Sequence, residues 1–433
     1  MKKLLPLIIS VTLSSVASYS MADDLAGIYN LAKENDPTLL RSAAQKDAAF
    51  EAITSSRSSL LPQINLGASY DINTSDMDSQ EYNQLAASVG FSQEIFKRSS
   101  WISLDTAEKT ARKADAQYAE DQQGLILRVS TAYFEVLRAQ DSLEFVRAEK
   151  AAVGRQLEQT KQRFEVGLSA ITDVHDAQAQ FDTVLANEVV SENDLINSYE
   201  ALREITGQEH TDLNILDTKS FSAEKSQESP QQLLEMAQTQ NLTLLRARIA
   251  QDIARDNISL ASSGHLPELT LDGSLQRLDR TESTSDFDAN NFNIGLNLAI
   301  PLYTGGNITS KVKQAEYNYV AESENLEASY RQVVTSVRST NNNINATIGT
   351  IRAYEQSVVS AKSALEATEA GFDVGTRTIV DVLDSTRRLY DANRNLANAR
   401  YNYIISVLNL RKAVGSLSEQ DIIDINASLM KAN

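Results

Sequence analysis

From Ser103 to Val166, and again from Ser310 to Val374, the chain runs without a proline. As one helix the first stretch is about 95 Å long at 1.5 Å per residue, and no ordinary globular core needs such an element. Within it Leu125, Val129, Ala132, Val136, Ala139, Leu143, Val146, Lys150, Val153, Leu157, Thr160 and Phe164 follow at alternating steps of four and three. The same frame, 208 residues on (372 − 164), reads Val333, Val337, Thr340, Ile344, Thr347, Ile351, Tyr354, Val358, Ala361, Leu365, Thr368 and Phe372. A period of about 3.5 residues kept twice specifies helices packed side by side, knobs into holes. A helix lying on a globular core would drift toward about 3.6.

Each stretch ends at a glycine, Gly167 or Gly375, the usual left-handed stop of a helix. Helical pattern resumes at once, and Thr378 with Asp381 reads as a capping box with Asp in place of Glu. So short a turn makes the two helices antiparallel neighbours, and the chain therefore carries two long hairpins. Their tips, RFEVGLSAITDVHDAQAQFD from Arg163 and GFDVGTRTIVDVLDSTRRLY from Gly371, are near copies. Asp173 and Asp176 in the first match Asp381 and Asp384 in the second, and each pair shares one helix face. Asp381 reads equally well as a cap and the others as solvated surface; ringed around an axis, they form an acidic collar.

The duplication reaches further back. Thr38-Leu-Leu-Arg41 returns as Thr243-Leu-Leu-Arg246, Leu61-Pro62 as Leu266-Pro267 and Gly90 as Gly295, 205 residues on (295 − 90). Two tandem units, 23–208 and 229–416, joined by 209–228 and followed by a tail at 417–433, account for this. Each begins with a short helix, for which Asp36-Pro37 and Ser229-Pro230 are cap-then-proline starts, although Pro37 also reads as a break.

Two strand-like segments follow in each unit, about 63–72 and 84–96, then about 268–277 and 291–303. Ile64, Leu66, Ala68, Tyr70 and Ile72 alternate with Gln63, Asn65, Gly67, Ser69 and Asp71, and 291–300 alternates likewise. Soluble antiparallel sheets share this pattern, but stretches of about ten residues fit membrane barrel strands. Four strands cannot close around a bore, and an open edge in lipid is forbidden, so the chain needs copies of itself. The polar stretches 73–83 and 277–290 read as solvated loops.

Residues 1–22 hold Lys2 and Lys3, an apolar run from Leu4 to Ala17 broken by Pro6, and small residues at Ser20 and Ala22. That order is a secretory signal cut after Ala22, too short for a membrane anchor. There is no cysteine, hence no disulfide, thiolate site or lipidated amino terminus. The net charge of −18 drops to near −20 without the signal's two lysines (−18 − 2), which argues against nucleic acid. His175, His210 and His265 stand outside any HExxH, GxSxG or phosphate-loop pattern, so no enzyme, metal or cofactor is expected.

VGTRTIVDVLD from Val374, LANARYNYI at 396–404, AYEQSVVSAKSALEA at 353–367 and TDVHDAQAQFDTVLANEV from Thr172 resemble the TolC family of Gram-negative outer-membrane exit ducts. The resemblance runs from the signal to about Asn426. It implies an α+β membrane protein, a homotrimer whose twelve-stranded β-barrel, four strands per chain, continues into a coiled-coil α-helical tunnel. A belt of mixed structure, holding 209–228 and 417–433, girds the middle. It implies a passive duct for multidrug efflux and type I secretion, set in outer-membrane lipid and extending into the periplasm. A periplasmic adaptor (membrane fusion protein) and an inner-membrane RND, ABC or MFS pump would open it. The alternatives are a freestanding porin, which needs no helices this long, and a periplasm-spanning coiled coil, which needs no amphipathic strands.

By motif match, Asp381 and Asp384 line the narrowest ring of the entrance. Arg377 holds the inner hairpin shut through Thr172 and Asp173 of the outer one, and Gly167, Leu168, Ser169, Gly375 and Thr376 receive the adaptor. Two departures stand out. The family pattern has tyrosine where this chain has Phe372, which removes a hydroxyl link from the closed gate. Asp176 and His175 replace uncharged residues, a candidate second ring that is acidic and pH-sensitive. Phe96, Trp101 and Tyr303, near strand ends, fit a membrane interface, where strand-end packing is the plainer reading.

Overall fold

The computed structural model describes residues 23–74, 82–282 and 286–431, so the signal and most of the 73–83 stretch lie outside it. The first half runs α1 (Leu25–Asn35), α2 (Pro37–Ser58), β1 (Gln63–Asn73), β2 (Tyr82–Phe96), α3 (Arg98–Glu165) and α4 (Ile171–Thr206). After β3 (Ile215–Leu216) the order repeats as α5 (Pro230–Gln240), α6 (Leu242–Ser263), β4 (Glu268–Glu282), β5 (Asp286–Ala299), α7 (Asn307–Asp373) and α8 (Ile379–Val414). α9 (Glu419–Asn426) and β6 (Leu429–Met430) close the chain.

Each half opens with two helices, not the one short helix expected. Asp36 ends α1 and caps α2, accepting from Leu39 N at 2.7 Å, with Pro37 in the first turn. Ser229 instead caps α5, the first helix of its half, with Gln232 bonding back to Ser229 N at 2.9 Å. Their counterparts, 205 positions away, cap without proline: Asp24 accepts from Gly27 N and Asn241 from Leu244 N. The caps mark all four starts; the proline marks a different one in each half.

β1, β2, β4 and β5 form one antiparallel sheet in that order. Rows such as Leu66–Val89–Leu275–Phe292 and Ile64–Phe91–Gly273–Ile294 carry one apolar face across all four strands. That face is bare, with Leu66 82 % and Phe292 74 % exposed. The opposite face is small and polar, and Ser92 donates to Asp272 at 2.7 Å. Among the described residues no helix is long and apolar enough to cross a membrane.

The 277–290 stretch is not simply a loop. β4 runs to Glu282 and β5 restarts at Asp286, pairing Arg277 with Asn290 and Thr281 with Asp286. A hairpin ladder standing in water needs no apolar face, so polar composition does not end it. β5 stops at Ala299, short of 303, because Pro301 has no N–H to give.

α3, 68 residues, and α7, 67 residues, are each about 100 Å long at 1.5 Å per residue, and α4 and α8 return along them. The main core lies partway along α3, where Leu125, Val129, Tyr133, Phe134 and Leu137 meet Leu25 and Ile28 of α1, Leu202 of α4, Leu408 of α8 and Ile422 of α9. β3 pairs with β6 here, so the connecting segment and the tail are strapped together. Arg128 grips the buried Asp36 through Nη1 and Nη2 at 3.0 and 2.8 Å. His210 Nδ1 lies 2.6 Å from Asp23 Oδ2, which ties the start of the described chain to the segment after α4.

Candidate functional site

The far ends of the two hairpins are built on one turn. Gly167 and Gly375 take φ of 76° and 79°, a region that L side chains rarely enter. Leu168 N donates to Arg163 O at 2.8 Å, and Thr376 N to Gly371 O at 2.8 Å, closing both long helices in a Schellman pattern. Val166, Leu168 and Val374 stand 70 %, 69 % and 75 % exposed there. Ser169 is half-buried, Thr376 exposed.

The second tip is fastened at its next helix start. Asp381 N donates to Thr378 Oγ1 at 3.3 Å, while the Asp381 carboxylate accepts from Thr378 N and Oγ1, both at 2.9 Å. The Thr378 backbone bond, the Thr378 hydroxyl and the nearby Arg377 charge hold the Asp381 carboxyl below its ordinary range. Ile379 beside it is buried against Val382, Leu383 and, from α3, Val153 and Leu157. Asp384 is not a free acid either, since Arg387 and Arg388 each place Nη2 2.7 Å from it.

In the first tip Ala170 occupies Thr378's place, so half of the box is missing. Asp173 accepts from Ala170 N at 3.1 Å and from Ser169 Oγ at 2.7 Å. Ile171 is 48 % exposed. His175 and Asp176 are exposed, and among the described residues no cation pairs with Asp176.

The expected Arg377 link to Thr172 and Asp173 is not made within one chain. Arg377 and Thr172 are exposed, Asp173 is bound to its own helix start, and no carboxylate among the described residues forms an ion pair with Arg377. Phe372 makes a different contact, its ring centroid 4.7 Å from the guanidinium of Arg163. Further along the shaft Gln156 of α3 donates to Thr386 of α8 at 3.0 Å, a buried bridge between the hairpins. Glu149 of α3 is 4 % exposed, and burial holds its carboxyl above the ordinary range against the pull of Arg394 and Arg387. Phe96, Trp101 and Tyr303 are 47 %, 55 % and 89 % exposed near the junction of sheet and shaft.

Sequence reasoning passes over Arg163, Arg387, Arg388 and Glu149. The two arginines sit three and four residues past Asp384, a legible helix spacing. Arg163 and Glu149 act across the hairpin boundary, which no local pattern reports.

The model of the family described as outer membrane efflux protein matches residues 28–208 and 233–416. The chain is 70 % identical over 436 residues to outer membrane protein TolC of Vibrio cholerae, covering 100 % of both. It is 49 % identical to outer membrane protein TolC of Escherichia coli, covering 100 % of this chain and 90 % of that one. Among solved structures, CusC superposes with a TM-score of 0.81 at 16 % identity, over 91 % of this chain and 92 % of that one, which speaks for the fold.

Proposed function

This chain belongs to the outer membrane efflux protein family, and we propose that three copies close its sheet into a twelve-stranded barrel and join their hairpins into one periplasmic tunnel. It is an outer-membrane exit duct for efflux and type I secretion. The observation that carries the assembly is the pair of bare sheet edges. Among the described residues β1 and β5 each leave a ladder unpaired beside one apolar face, and lipid offers those amides no partner. All four strands alternate in direction, so β5 of one copy meets β1 of the next antiparallel and closure adds no irregular joint.

At the other end the tips form the gate. Asp381 and Asp384 ring the narrowest point, where carboxylates crowded within a screening length of about 8–10 Å favour cations. Arg387 and Arg388 temper that preference, and Asp176 with His175 forms the second ring. Among the described residues of its own chain no carboxylate forms an ion pair with Arg377, which supports a link to Thr172 and Asp173 of a neighbouring copy. Solvated pairs contribute about 0–1 kcal/mol each, so three such links hold the gate by only a few kcal/mol. Docking of the adaptor on Gly167, Leu168, Ser169, Gly375 and Thr376, beside exposed Val166 and Val374, exceeds that and couples the duct to an RND, ABC or MFS pump.

Single-channel recording of the purified protein, with and without adaptor, tests this. A gated duct gives a small, cation-preferring conductance that grows with adaptor. Wide-open conduction alone makes it a porin, and silence in both cases a spacer. Asp381→Ala with Asp384→Ala removes the cation preference; unchanged selectivity overturns the ring.

A further inference from the structure

We propose that Arg163 and Phe372 form a latch that holds the α7–α8 hairpin against the α3–α4 hairpin near the tips, so that Phe372 is a positioning residue of the resting gate. The gating part of this rests on the duct reading above. Arg163 belongs to α3 and Phe372 to α7, and the guanidinium lies 4.7 Å from the ring centroid. That is within the roughly 6 Å over which a cation is drawn to an aromatic face.

Nothing else claims the arginine. Among the described residues no carboxylate forms an ion pair with it, and its Nε is shielded from solvent without a hydrogen-bond partner. A guanidinium so placed gives its charge to the ring. Phe372 is in turn seated on an apolar cluster contributed by both hairpins, with Leu157 from α3 and Val382 from α8. Gln156, seven residues (163 − 156) before Arg163 and so about two helical turns away, makes the next polar bridge to the second hairpin, at Thr386. The ring thus stands three residues before the turn glycine (375 − 372), nearer the tip than the Gln156–Thr386 bridge, where a weak contact has leverage on the tip.

The substitutions Arg163→Gln and Phe372→Leu separate the cation–ring contact from burial, because leucine keeps the apolar seat. Amide hydrogen exchange over 371–378 in the full-length protein in detergent reads the latch without requiring conduction. Each single change speeds exchange about two- to fivefold, and the double change is no faster than either single one. Arg163→Lys stays near the parent rate, and Phe372→Tyr, which keeps the aromatic face and adds a hydroxyl, exchanges no faster than the parent. In bilayers the single changes raise resting open probability by a similar or larger factor. Silent singles, or a double change whose effect is the product of the two, overturn the latch. Coupled exchange together with a parent that never conducts overturns the duct reading and leaves the latch standing.

Discussion

Gly167 and Gly375 turn their helices through nearly the same angle, yet the helices that follow begin differently. α8 starts from a reciprocal Thr378–Asp381 box with Ile379 buried behind it, whereas α4 starts from Ala170, with only Asp173 reaching back and Ile171 half exposed. The hairpins differ at their other ends too. Gly207 and Gly415 end α4 and α8 with φ of 72° and 92°. A Cβ at 207 would meet nothing nearer than Asn35 Cβ at 3.9 Å, but at 415 it would strike the Gln240 carbonyl and lie 2.8 Å from Asn241 Cα. The two halves share a backbone, and the second is fitted closely at both ends while the first has slack. On the gated reading proposed above, the loosely fastened first tip suits a surface that receives a partner, and the fastened second tip suits a segment that holds a gate.

The largest effect expected is at the closely fitted end. Gly415→Ala adds a backbone collision to left-handed strain and costs about 3 kcal/mol or more, against about 1–2 kcal/mol for Gly207→Ala. Thermal unfolding in detergent measures both, and equal costs would show that the two ends are not fitted differently. Next are the starts of α2 and α6, where Asp36 is charged and its counterpart Asn241 is not. Burial raises the Asp36 carboxyl, but the Arg128 bonds and the Leu39 amide outweigh it and leave its pKa lowered. Its stabilisation is present above the unfolded carboxyl's range and fades as pH falls through its own lower pKa. Asp36→Asn therefore costs about 2 kcal/mol at neutral pH and progressively less in acid, because charge-assisted bonds are lost while the cap remains. A loss that does not change with pH breaks this account.

Third are the tip caps. Thr378→Ala loosens the second tip by about 1 kcal/mol, whereas Ala170→Thr tightens the first by up to a similar amount. Tip-resolved hydrogen exchange would sharpen the comparison, and the tightened tip should also respond less to adaptor. The smallest effect is at Glu149. Its raised pKa stabilises the fold in acid, and that contribution is lost as pH rises through the raised value. Glu149→Gln should raise the melting temperature by a few degrees at pH 7 and leave it unchanged in acid.

Much of this architecture is legible in residue spacing. The alternating four-and-three steps, the two tip glycines and the strand alternation each report a local period that backbone geometry imposes. The paired opening helices are less so, since Pro37 and Pro230 fall on different members of the pair. Strand ends in water carry no apolar signal, so composition places the 277–290 turn too early. At the site, the Thr378–Asp381 box lies within one helical turn and can be read directly. The Asp384 pairing with Arg387 and Arg388 has a readable spacing, but a pore-lining reading takes the carboxylate as free. Arg163 and Phe372 are 209 positions apart (372 − 163), and only the folded packing of one hairpin on the other brings them together.

One residue, Lys97, separates the end of β2 from the start of α3, and α3 then runs unbroken for 68 residues. In the proposed assembly the distance from the sheet to the hairpin tips is therefore a ruler written in heptads, each worth about 10.5 Å. α4 and α8 run beside only the part of α3 and α7 nearest the tips, and α2 and α6 pack beside the long helices as well, so shortening one would slip its seam against its neighbours. The reach of the tips changes in register only when whole heptads leave α3, α4, α7 and α8 together, or α2, α3, α6 and α7 together, a coordinated edit of both halves of the gene.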